Sequence, residues 1–279
     1  RRAALKILLP RLGRNPGFTA RFIREAQALA RVSHPNIVQA LDAGKEGEFH
    51  YIAMELVDGE NLLQRIDREG RMDPESSARI MREVARGIEG LEAAGLAHRD
   101  VKPSNILIDS AGLVKLTDLG LFRDATDSRG IQDGMVFGTP QYMSPEQIQG
   151  KEGLDVRSDL YSLGATWYHA LIGQPPFRGG APIEVARKHL EEMPIGLRAI
   201  RPDIPVDLDR LVMQLLAKDP GMRPTGPGEV IAQIDRFLGA STPIRSPTPG
   251  ASAPGDAAVL ALRRSPQSLS KNCSGSGVP

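Results

Sequence analysis

Apolar residues change their spacing once along this chain, and that change limits the fold more than any other feature. Before Asp58-Gly59 they mostly form short runs that are typical of strands, such as Ala3–Leu9. After it they recur every three or four residues, the interval of a helix with one buried face. The sequence therefore predicts an α+β fold in which a small strand-rich part precedes a larger, mainly α-helical part.

The strand-rich part is predicted to contain three strands and one helix. The first strand is Ala3–Leu9, an apolar run that ends at a proline. Apolar residues at helical spacing predict a helix over Thr19–Val32, with Thr19 as its N-cap. The other two strands are predicted at Ile37–Leu41 and Phe49–Val57, on either side of a turn at residues 42–47.

The ends of several helices can be predicted in the second part. Asp73-Pro74 predicts a helix start, because a capping side chain is followed by proline at the first helical position, and Gly95 predicts its end. Another helix is predicted from a cap at Ser158 to Gly173. Apolar stripes predict two more helices, at Leu208, Leu211, Val212 and Leu215 and at Val230, Ile231, Ile234 and Phe237.

The composition changes abruptly after Gly239. Residues 240–279 are rich in Ser, Pro, Gly and Ala and contain no aromatic residue. Such a segment buries too little apolar area to offset its chain entropy, so we predict that it is disordered. The predicted organisation is therefore residues 1–57, residues 58–239 and a tail at residues 240–279.

Charge and cysteine content exclude several classes of protein. The formal net charge of +1 gives no reason to expect a nucleic-acid or membrane-surface partner. Cys273 is the only cysteine, which excludes an intrachain disulfide and fits a reducing compartment. The aliphatic run Ala257–Leu262 is too short to cross a bilayer. We expect a cytoplasmic location for this chain, although a parent protein could be membrane-anchored beyond it.

Two short segments combine the polar groups that phosphoryl transfer requires. His98–Asn105 reads His-Arg-Asp-Val-Lys-Pro-Ser-Asn, and Asp118-Leu119-Gly120 begins thirteen residues after Asn105. Phosphoryl transfer needs an oriented hydroxyl and cations held by carboxylate and amide oxygens. One carboxylate and one amide on a single loop, with a second carboxylate on a neighbouring loop, would meet that need.

These segments resemble the catalytic loop and the start of the activation segment of eukaryotic-type Ser/Thr protein kinases, in their bacterial branch. Lysine two residues after the aspartate resembles the Ser/Thr class rather than the tyrosine class. The resemblance implies a bilobal fold with a small β-rich N-lobe, here truncated, and a larger helical C-lobe. Residues 1–57 would be the partial N-lobe ending in the hinge, and residues 58–239 the C-lobe.

The resemblance also implies a role for each residue of the two segments. Asp100 would orient the acceptor hydroxyl, and Lys102 would stabilise the moving γ-phosphate of ATP. Asn105 and Asp118 would ligate Mg²⁺ (or Mn²⁺). His98 is predicted to be a packed, hydrogen-bonded core residue.

Lys6 and Glu25 are predicted to form an ion pair. The resemblance makes Lys6 the residue that grips the α- and β-phosphates, and Glu25 the acid that positions it. The residues support this independently, because Lys6 lies in an apolar strand and Glu25 lies on the apolar face of the predicted helix. Each is costly to bury without a partner of opposite charge. The alternative is that Glu25 lies at the rim of the stripe and Lys6 reaches solvent.

The resemblance extends to the nucleotide pocket and to the substrate-docking segment. Met54 would guard the back of the adenine pocket, Glu55 and Val57 would bind the adenine edge, and Leu107 would add to the nucleotide site. Thr139, in Gly138–Glu146, would contact Asp100 and Lys102. Three further residues are predicted to be structural, with surface charge as the alternative: Glu146 and Arg223 as a pair, and Asp159 below the catalytic loop.

Regulation is predicted to act through the activation segment. Arg99 needs an anionic partner, which in such kinases is a phosphorylated residue. Thr126 and Ser128 are the only hydroxyl residues between Leu119 and Gly138. We expect Thr126 to be the regulatory site and Asp133 to substitute partly for a phosphate.

Three functions are compatible with these residues. The first is an ATP- and Mg²⁺-dependent, non-specific protein Ser/Thr kinase in signalling, with autophosphorylation and possible homodimerisation for reaction in trans. The second is a pseudokinase or kinase-like binding module that acts by docking; retention of the four Lys6, Asp100, Asn105 and Asp118 equivalents favours the enzyme. The third is a small-molecule phosphotransferase, which the docking segment disfavours.

The sequence departs from the family pattern at two places. Leu119 replaces the more common phenylalanine but still fills an apolar socket. In addition, no Gly-x-Gly-x-x-Gly strand pair precedes the Lys6 strand, so we interpret the chain as a fragment that is weakly active or inactive alone.

Extending the chain upstream of Arg1 by a Gly-x-Gly-x-x-Gly strand pair should therefore raise its phosphotransfer rate. Loss of one preorganised donor costs about 2.7–4 kcal/mol in comparable sites, and this pair supplies several. The measurement is the rate of phosphate transfer from ATP by the two chains, and equal rates would contradict the expectation.

Overall fold

The N-terminal part is a three-stranded antiparallel sheet covered by one long helix. In the computed structural model, which describes residues 2–13, 15–120 and 139–241, the sheet has the order β1-β3-β2. Its register pairs Lys6 of β1 with Ile52 of β3. The elements are β1 (Ala3–Leu8), α1 (Pro10–Gly13), α2 (Pro16–Ala30), β2 (Ala40–Glu46) and β3 (Phe49–Glu55).

Two boundaries predicted for this part are wrong. Helix α2 begins at Pro16, not at Thr19, because the Asn15 side chain caps it by accepting a hydrogen bond from the Gly17 N–H, and proline suits the first helical position. Strand β2 occupies most of the predicted turn, and the chain reverses instead at Gly47, whose φ is +57°.

The segment predicted as a strand around Ile37 has a different role. Ile37 forms an isolated parallel bridge with Leu116, and the Val38 N–H donates to the Leu116 carbonyl at 2.8 Å. Both side chains are buried. This segment therefore connects the N-terminal part to Leu116, in the sheet of the larger part, and does not form the predicted strand of the N-terminal sheet.

The larger part contains a small sheet and most of the helices. The sheet has the order β4-β5-β6, and β5 follows the catalytic-loop segment directly. The elements are β4 (Gly59–Asn61), α3 (Leu62–Glu69), α4 (Pro74–Ala93), β5 (Ile106–Asp109), β6 (Val114–Leu116), α5 (Pro145–Ile148), α6 (Val156–Ile172), α7 (Pro182–Glu191), α8 (Leu197–Ile200), α9 (Val206–Leu215) and α10 (Pro227–Ser241), with short 3-10 turns at Pro103–Asn105, Pro140–Tyr142 and Pro220–Met222.

Helix α6 lies at the centre of this part and is buried on every side. Its Trp167 is completely buried, and the indole N–H donates to Ser77 of α4 at 3.0 Å. The helix begins after the cap Asp155, not at the predicted Ser158, whose hydroxyl lies inside and donates to Glu146 at 2.6 Å. It ends at Gly173, as predicted, with φ of +82°.

Helix α4 also follows its predicted ends. The Asp73 side chain caps it by accepting from the Ser76 N–H, and Gly95 follows it with a φ of +71°. Within the described ranges no helix is both long and apolar enough to cross a membrane. Residues 242–279, which make up most of the predicted tail, lie outside the described residues.

Glu146 and Arg223 form a buried ion pair that holds the end of the docking segment onto α6. The guanidinium donates to both carboxylate oxygens, at 2.7 and 3.0 Å, and also to the carbonyls of Arg157, Ala217 and Lys218. Burial raises the pKa of Glu146, but the hydrogen bonds from Arg223 and Ser158 outweigh burial and leave that pKa below its ordinary value.

Arg223→Met should lower the free energy of unfolding by about 3–5 kcal/mol, because it leaves a buried carboxylate without its cation. The double variant Glu146→Met with Arg223→Met should lose less than this single variant. Arg210→Met is the control: Arg210 pairs with Asp207 in solvent, and its loss should cost no more than about 1 kcal/mol. Urea unfolding measures all three, and a larger loss in the double variant would contradict the expectation.

Candidate active site

Asp159 of α6 fixes the catalytic loop from below. Its two carboxylate oxygens accept the backbone N–H groups of His98 and Arg99, each at 2.7 Å. Burial raises the pKa of this carboxyl, and the two N–H donors oppose that effect. The same contacts hold Arg99 at a φ of +64°, which a residue with a side chain adopts only when its surroundings impose it.

His98 is the packed core residue that the sequence predicts. Its ring is completely buried, and burial lowers its pKa, so it is neutral at pH 7. Nδ1 lies 3.2 Å from the Asp100 N–H and must accept from it, which places the ring proton on Nε2. Nε2 then donates to the Thr117 carbonyl at 3.1 Å and joins the catalytic loop to the residue before Asp118.

Asp100, Lys102 and Asn105 form one polar cluster. Lys102 Nζ lies 2.7 Å from Oδ2 of Asp100. The Asn105 amide nitrogen donates to the same carboxylate oxygen at 3.0 Å and to the Asp100 carbonyl at 2.9 Å. These donors fix the orientation of the Asp100 carboxylate, and they leave the amide oxygen of Asn105 as the atom that can bind a cation.

Backbone hydrogen bonds place Asp118 next to this cluster. The Thr117 N–H donates to the Asn105 carbonyl at 3.0 Å, and the Gly120 N–H donates to the His98 carbonyl at 2.7 Å. A side chain at position 120 would put its Cβ 2.9 Å from that of Asp100, so this approach requires glycine. Asp118 itself has a φ of +58°, the second strained position of the site.

Lys6 brings two carboxylates from distant parts of the chain together. Its Nζ lies 2.7 Å from Oε1 of Glu25 on α2 and 2.8 Å from Oδ1 of Asp118. Burial lowers the pKa of Lys6, but the two carboxylates outweigh burial, so its pKa lies above the ordinary value and the group is charged. Burial raises the pKa of Glu25 despite this partner. The pairing predicted from the sequence is present, with Asp118 as a further member.

Comparison with known proteins identifies this arrangement. The protein kinase domain family matches residues 1–234 of the chain. The chain belongs to the protein kinase family. Relatives include the serine/threonine-protein kinase PknB of Mycobacterium leprae, 40% identical over 248 residues, and PknA of Mycobacterium tuberculosis, 38% identical over 262 residues.

These matches cover 87% and 91% of this kinase chain, but only 40% and 60% of the two relatives, so the chain spans about two fifths of PknB. The crystal structure of the Mycobacterium tuberculosis PknI kinase domain is similar, with a TM-score of 0.66 and 28% identity over 84% of this chain and 85% of that one. The predicted family and fold are therefore confirmed.

The residues predicted to bind a metal have suitable oxygen donors. The Asn105 amide oxygen and the half-exposed carboxylate of Asp118 are hard ligands of the kind Mg²⁺ prefers, and Mg²⁺ commonly takes few protein ligands and keeps water and phosphate oxygens. Among the described residues, no three His, Cys, Asp or Glu side chains form a cluster that could hold a metal ion alone. The site fits a cation that arrives with a phosphate group.

The predicted hinge residues of this kinase lie at the end of β3 and just after it. Met54 is buried in the apolar cluster of the N-lobe, against which Val57 and Leu107 also pack. The side chain of Glu55 pairs with Lys115 of β6 at 2.9 Å, a contact that sequence reasoning missed. Lys115 lies on an otherwise apolar strand, so its charge could have signalled a buried partner. Contact of the hinge with adenine stays a prediction.

Gln147, directly after the docking segment, bonds to the catalytic loop, and the sequence did not single out this residue. Ser144 caps α5 together with Gln147, and the Gln147 amide donates to the Arg99 carbonyl at 2.9 Å. Thr139 and Lys102 line one cavity, and the predicted contact of Thr139 with Asp100 and Lys102 stays a prediction. Ser144 therefore has a structural role in this kinase, because its hydroxyl accepts the hydrogen bond that caps α5.

The predicted regulatory positions fall in the activation segment. Thr126, Ser128 and Asp133 lie outside the described residues. Arg99 is placed at the catalytic loop, and its predicted pairing with a phosphorylated residue stays a prediction.

Lys6→Met should make the stability of this kinase depend on pH, because it removes the ammonium that holds the Glu25 carboxylate in its buried place. Without the ammonium, the pKa of Glu25 rises further. A carboxyl whose pKa is raised in the folded state is protonated there at low pH, and the protein loses stability as pH rises through that pKa. We expect a loss of about 3–5 kcal/mol at pH 8 and a smaller loss at pH 5.5.

Urea unfolding at both pH values measures this effect. The control is the double variant Lys6→Met with Glu25→Met, whose loss relative to the parent should be the same at the two pH values. Equal losses for the single variant would show that Glu25 is not held by Lys6.

Proposed function

We propose that this chain is the catalytic part of a protein serine/threonine kinase that transfers the γ-phosphate of ATP to Ser or Thr hydroxyls of proteins. The observation that carries the proposal is the ammonium of Lys6 held between Glu25 and Asp118, beside the Asp100–Asn105 pair. The relatives named serine/threonine-protein kinases support the same class of reaction.

Asp100 orients the acceptor hydroxyl and takes its proton during transfer. Its carboxylate is held by Lys102 and Asn105, so it points in one direction without any change on substrate binding. Lys102 lies on the same carboxylate and is placed to stabilise the charge on the phosphate as it moves towards the hydroxyl.

Lys6 binds the α- and β-phosphates of ATP. Glu25 holds the ammonium from the other side, so the lysine keeps its charge although it is partly buried. Asn105 and Asp118 would hold Mg²⁺, through one amide and one carboxylate oxygen. When bound, Mg²⁺ neutralises the negative charge of the phosphates.

The alternative, a pseudokinase that acts by docking, is less well supported. A protein that only docks gains nothing from a buried charge network, which is costly to bury unless every charge is paired. Here all four residues are present, with Lys6 paired to Asp118 and Asn105 bonded to Asp100. Autophosphorylation in trans, a homodimer for that reaction and control by the activation segment belong to the same proposal.

Two variants of the extended chain separate binding from catalysis. ATP with Mg²⁺ should raise the thermal midpoint of the parent, and Asp118→Asn should reduce this rise because it removes a metal ligand. Asp100→Asn should keep the rise but lower transfer to a Ser/Thr peptide by about 10²–10⁴-fold, the usual contribution of a general base.

A pseudokinase would give a different result. In that case the parent would transfer no more phosphate to any peptide than Asp100→Asn does. Its thermal midpoint could rise with nucleotide or stay the same. Transfer to tyrosine peptides in place of Ser/Thr peptides would also contradict the proposed function.

A further inference from the structure

An open cavity of about 360 Å³ adjoins the catalytic loop on the side of the docking segment. Helices α3 and α6, the catalytic loop and the docking segment each supply part of its wall. Its lining residues are Leu63, Lys102, Pro103, Ser104, Thr139, Gln141, Tyr142, His169 and Pro175. Because Lys102 belongs both to this wall and to the Asp100 cluster, a peptide whose hydroxyl reaches Asp100 has its neighbouring side chains at this cavity.

The lining of the cavity contains no carboxylate that would neutralise a basic side chain, and Asp67, which acts on His169 and Tyr142, lies outside the lining. None of the nine lining residues is an aspartate or a glutamate, and the one permanently charged residue among them is Lys102, a cation already paired with Asp100. The nearby carboxylate of Glu60 is bonded to Arg68 at 2.7 Å and lies 3.4 Å from Arg65. A lysine or arginine side chain would therefore lose water without gaining a partner.

His169 adds no charge to this wall at neutral pH. Burial lowers its pKa, while Asp67 and Arg178 act on it with opposite signs. Its Nδ1 shares a hydrogen bond with the Tyr142 hydroxyl at 2.7 Å. The Tyr142 phenol keeps its proton because burial raises its pKa.

One buried polar atom of the cavity wall lacks a hydrogen-bond partner. Oε1 of Gln141 is buried and has no hydrogen-bond partner within the part of the chain that the structure describes. An unsatisfied buried acceptor favours a ligand that donates an N–H, and every peptide backbone supplies such donors. The remaining surface comes from Leu63, Pro103, Pro175 and the Tyr142 ring.

We propose that this cavity binds an uncharged, apolar side chain next to the acceptor Ser or Thr, with Gln141 accepting from the peptide backbone, and that it selects against lysine and arginine there. The inference rests on the proposed kinase activity and adds its substrate class. Apolar contacts with the four nonpolar walls bind the side chain, and the lack of a carboxylate excludes basic ones.

The test is a peptide series with one fixed Thr acceptor, in which Leu, Ala, Glu or Arg is placed at each flanking position in turn. With the extended chain we expect one position at which kcat/KM is about 10-fold or more higher for Leu than for Arg, the size of effect that one apolar pocket gives. Arg equal to or better than Leu at every position would overturn the proposal.

Gln141→Glu then places a carboxylate in the cavity. It should raise kcat/KM for Arg relative to Leu by about 10-fold at that same position and leave the other positions unchanged. Gln149→Glu is the matched control, because the same chemical change is made eight residues further along the chain, at an exposed residue outside the cavity lining, and it should leave the preference unchanged. Leu63→Glu, on the opposite wall, repeats the test if Gln141→Glu does not fold.

The outcomes separate this inference from the proposed function. If phosphate transfer occurs but neither Gln141→Glu nor Leu63→Glu changes the preference between Arg and Leu peptides, the inference is overturned and the proposed function is not. Absence of transfer to every peptide and to a general protein substrate such as casein overturns the proposed function and the inference with it.

Discussion

The site depends on a single ammonium shared by two carboxylates. Lys6 lies between Glu25 and Asp118, which are 19 and 112 residues away along the chain, at 2.7 and 2.8 Å. The Glu25 carboxylate alone would be costly to bury, and it would repel Asp118 without the lysine. The position of α2, the edge of the first sheet and the Asp118 loop therefore depend on one another. A displacement of any of them breaks a partly buried contact, so the arrangement tends to be either complete or lost.

Strain in the catalytic loops is tolerated because the helical part holds them on several sides. Arg99 and Asp118 both have positive φ, which costs on the order of 1–3 kcal/mol for each such residue. The Asp159 carboxylate accepts a hydrogen bond from the Arg99 N–H, and the Gln147 amide donates one to the Arg99 carbonyl. Both supporting residues are themselves fixed, one in a fully buried helix and one in a capping box. The stability of the C-terminal part thus positions the groups that carry the chemistry.

Sequence patterns predict the paired charges better than the helix ends. Lys6 and Glu25 each lie in apolar surroundings, so each signals a missing partner, and the structure pairs them. Thr19 and Ser158 are equally good capping residues by type, but Asn15 and Asp155 cap the helices because the chain enters each helix earlier. Ser144-x-x-Gln147 is a capping-box pattern, but the contact of Gln147 with Arg99 gave no signal, since the partner is a backbone carbonyl 48 residues away that only the tertiary fold brings close.

The residues proposed for phosphate transfer differ from most of those proposed for substrate selection, because the charged groups of the site pair with one another. Lys6, Lys102, Asp100 and Asp118 all bond to one another or to Glu25 and Asn105, which concentrates charge where phosphate transfer occurs. Apart from Lys102, the adjoining cavity is lined by a neutral histidine, a phenol, uncharged polar side chains and nonpolar residues. Residues in that cavity can therefore change without disturbing the charge network. Under the proposed function, the paired charges carry out the reaction, and under the further inference a few uncharged side chains set the substrate preference.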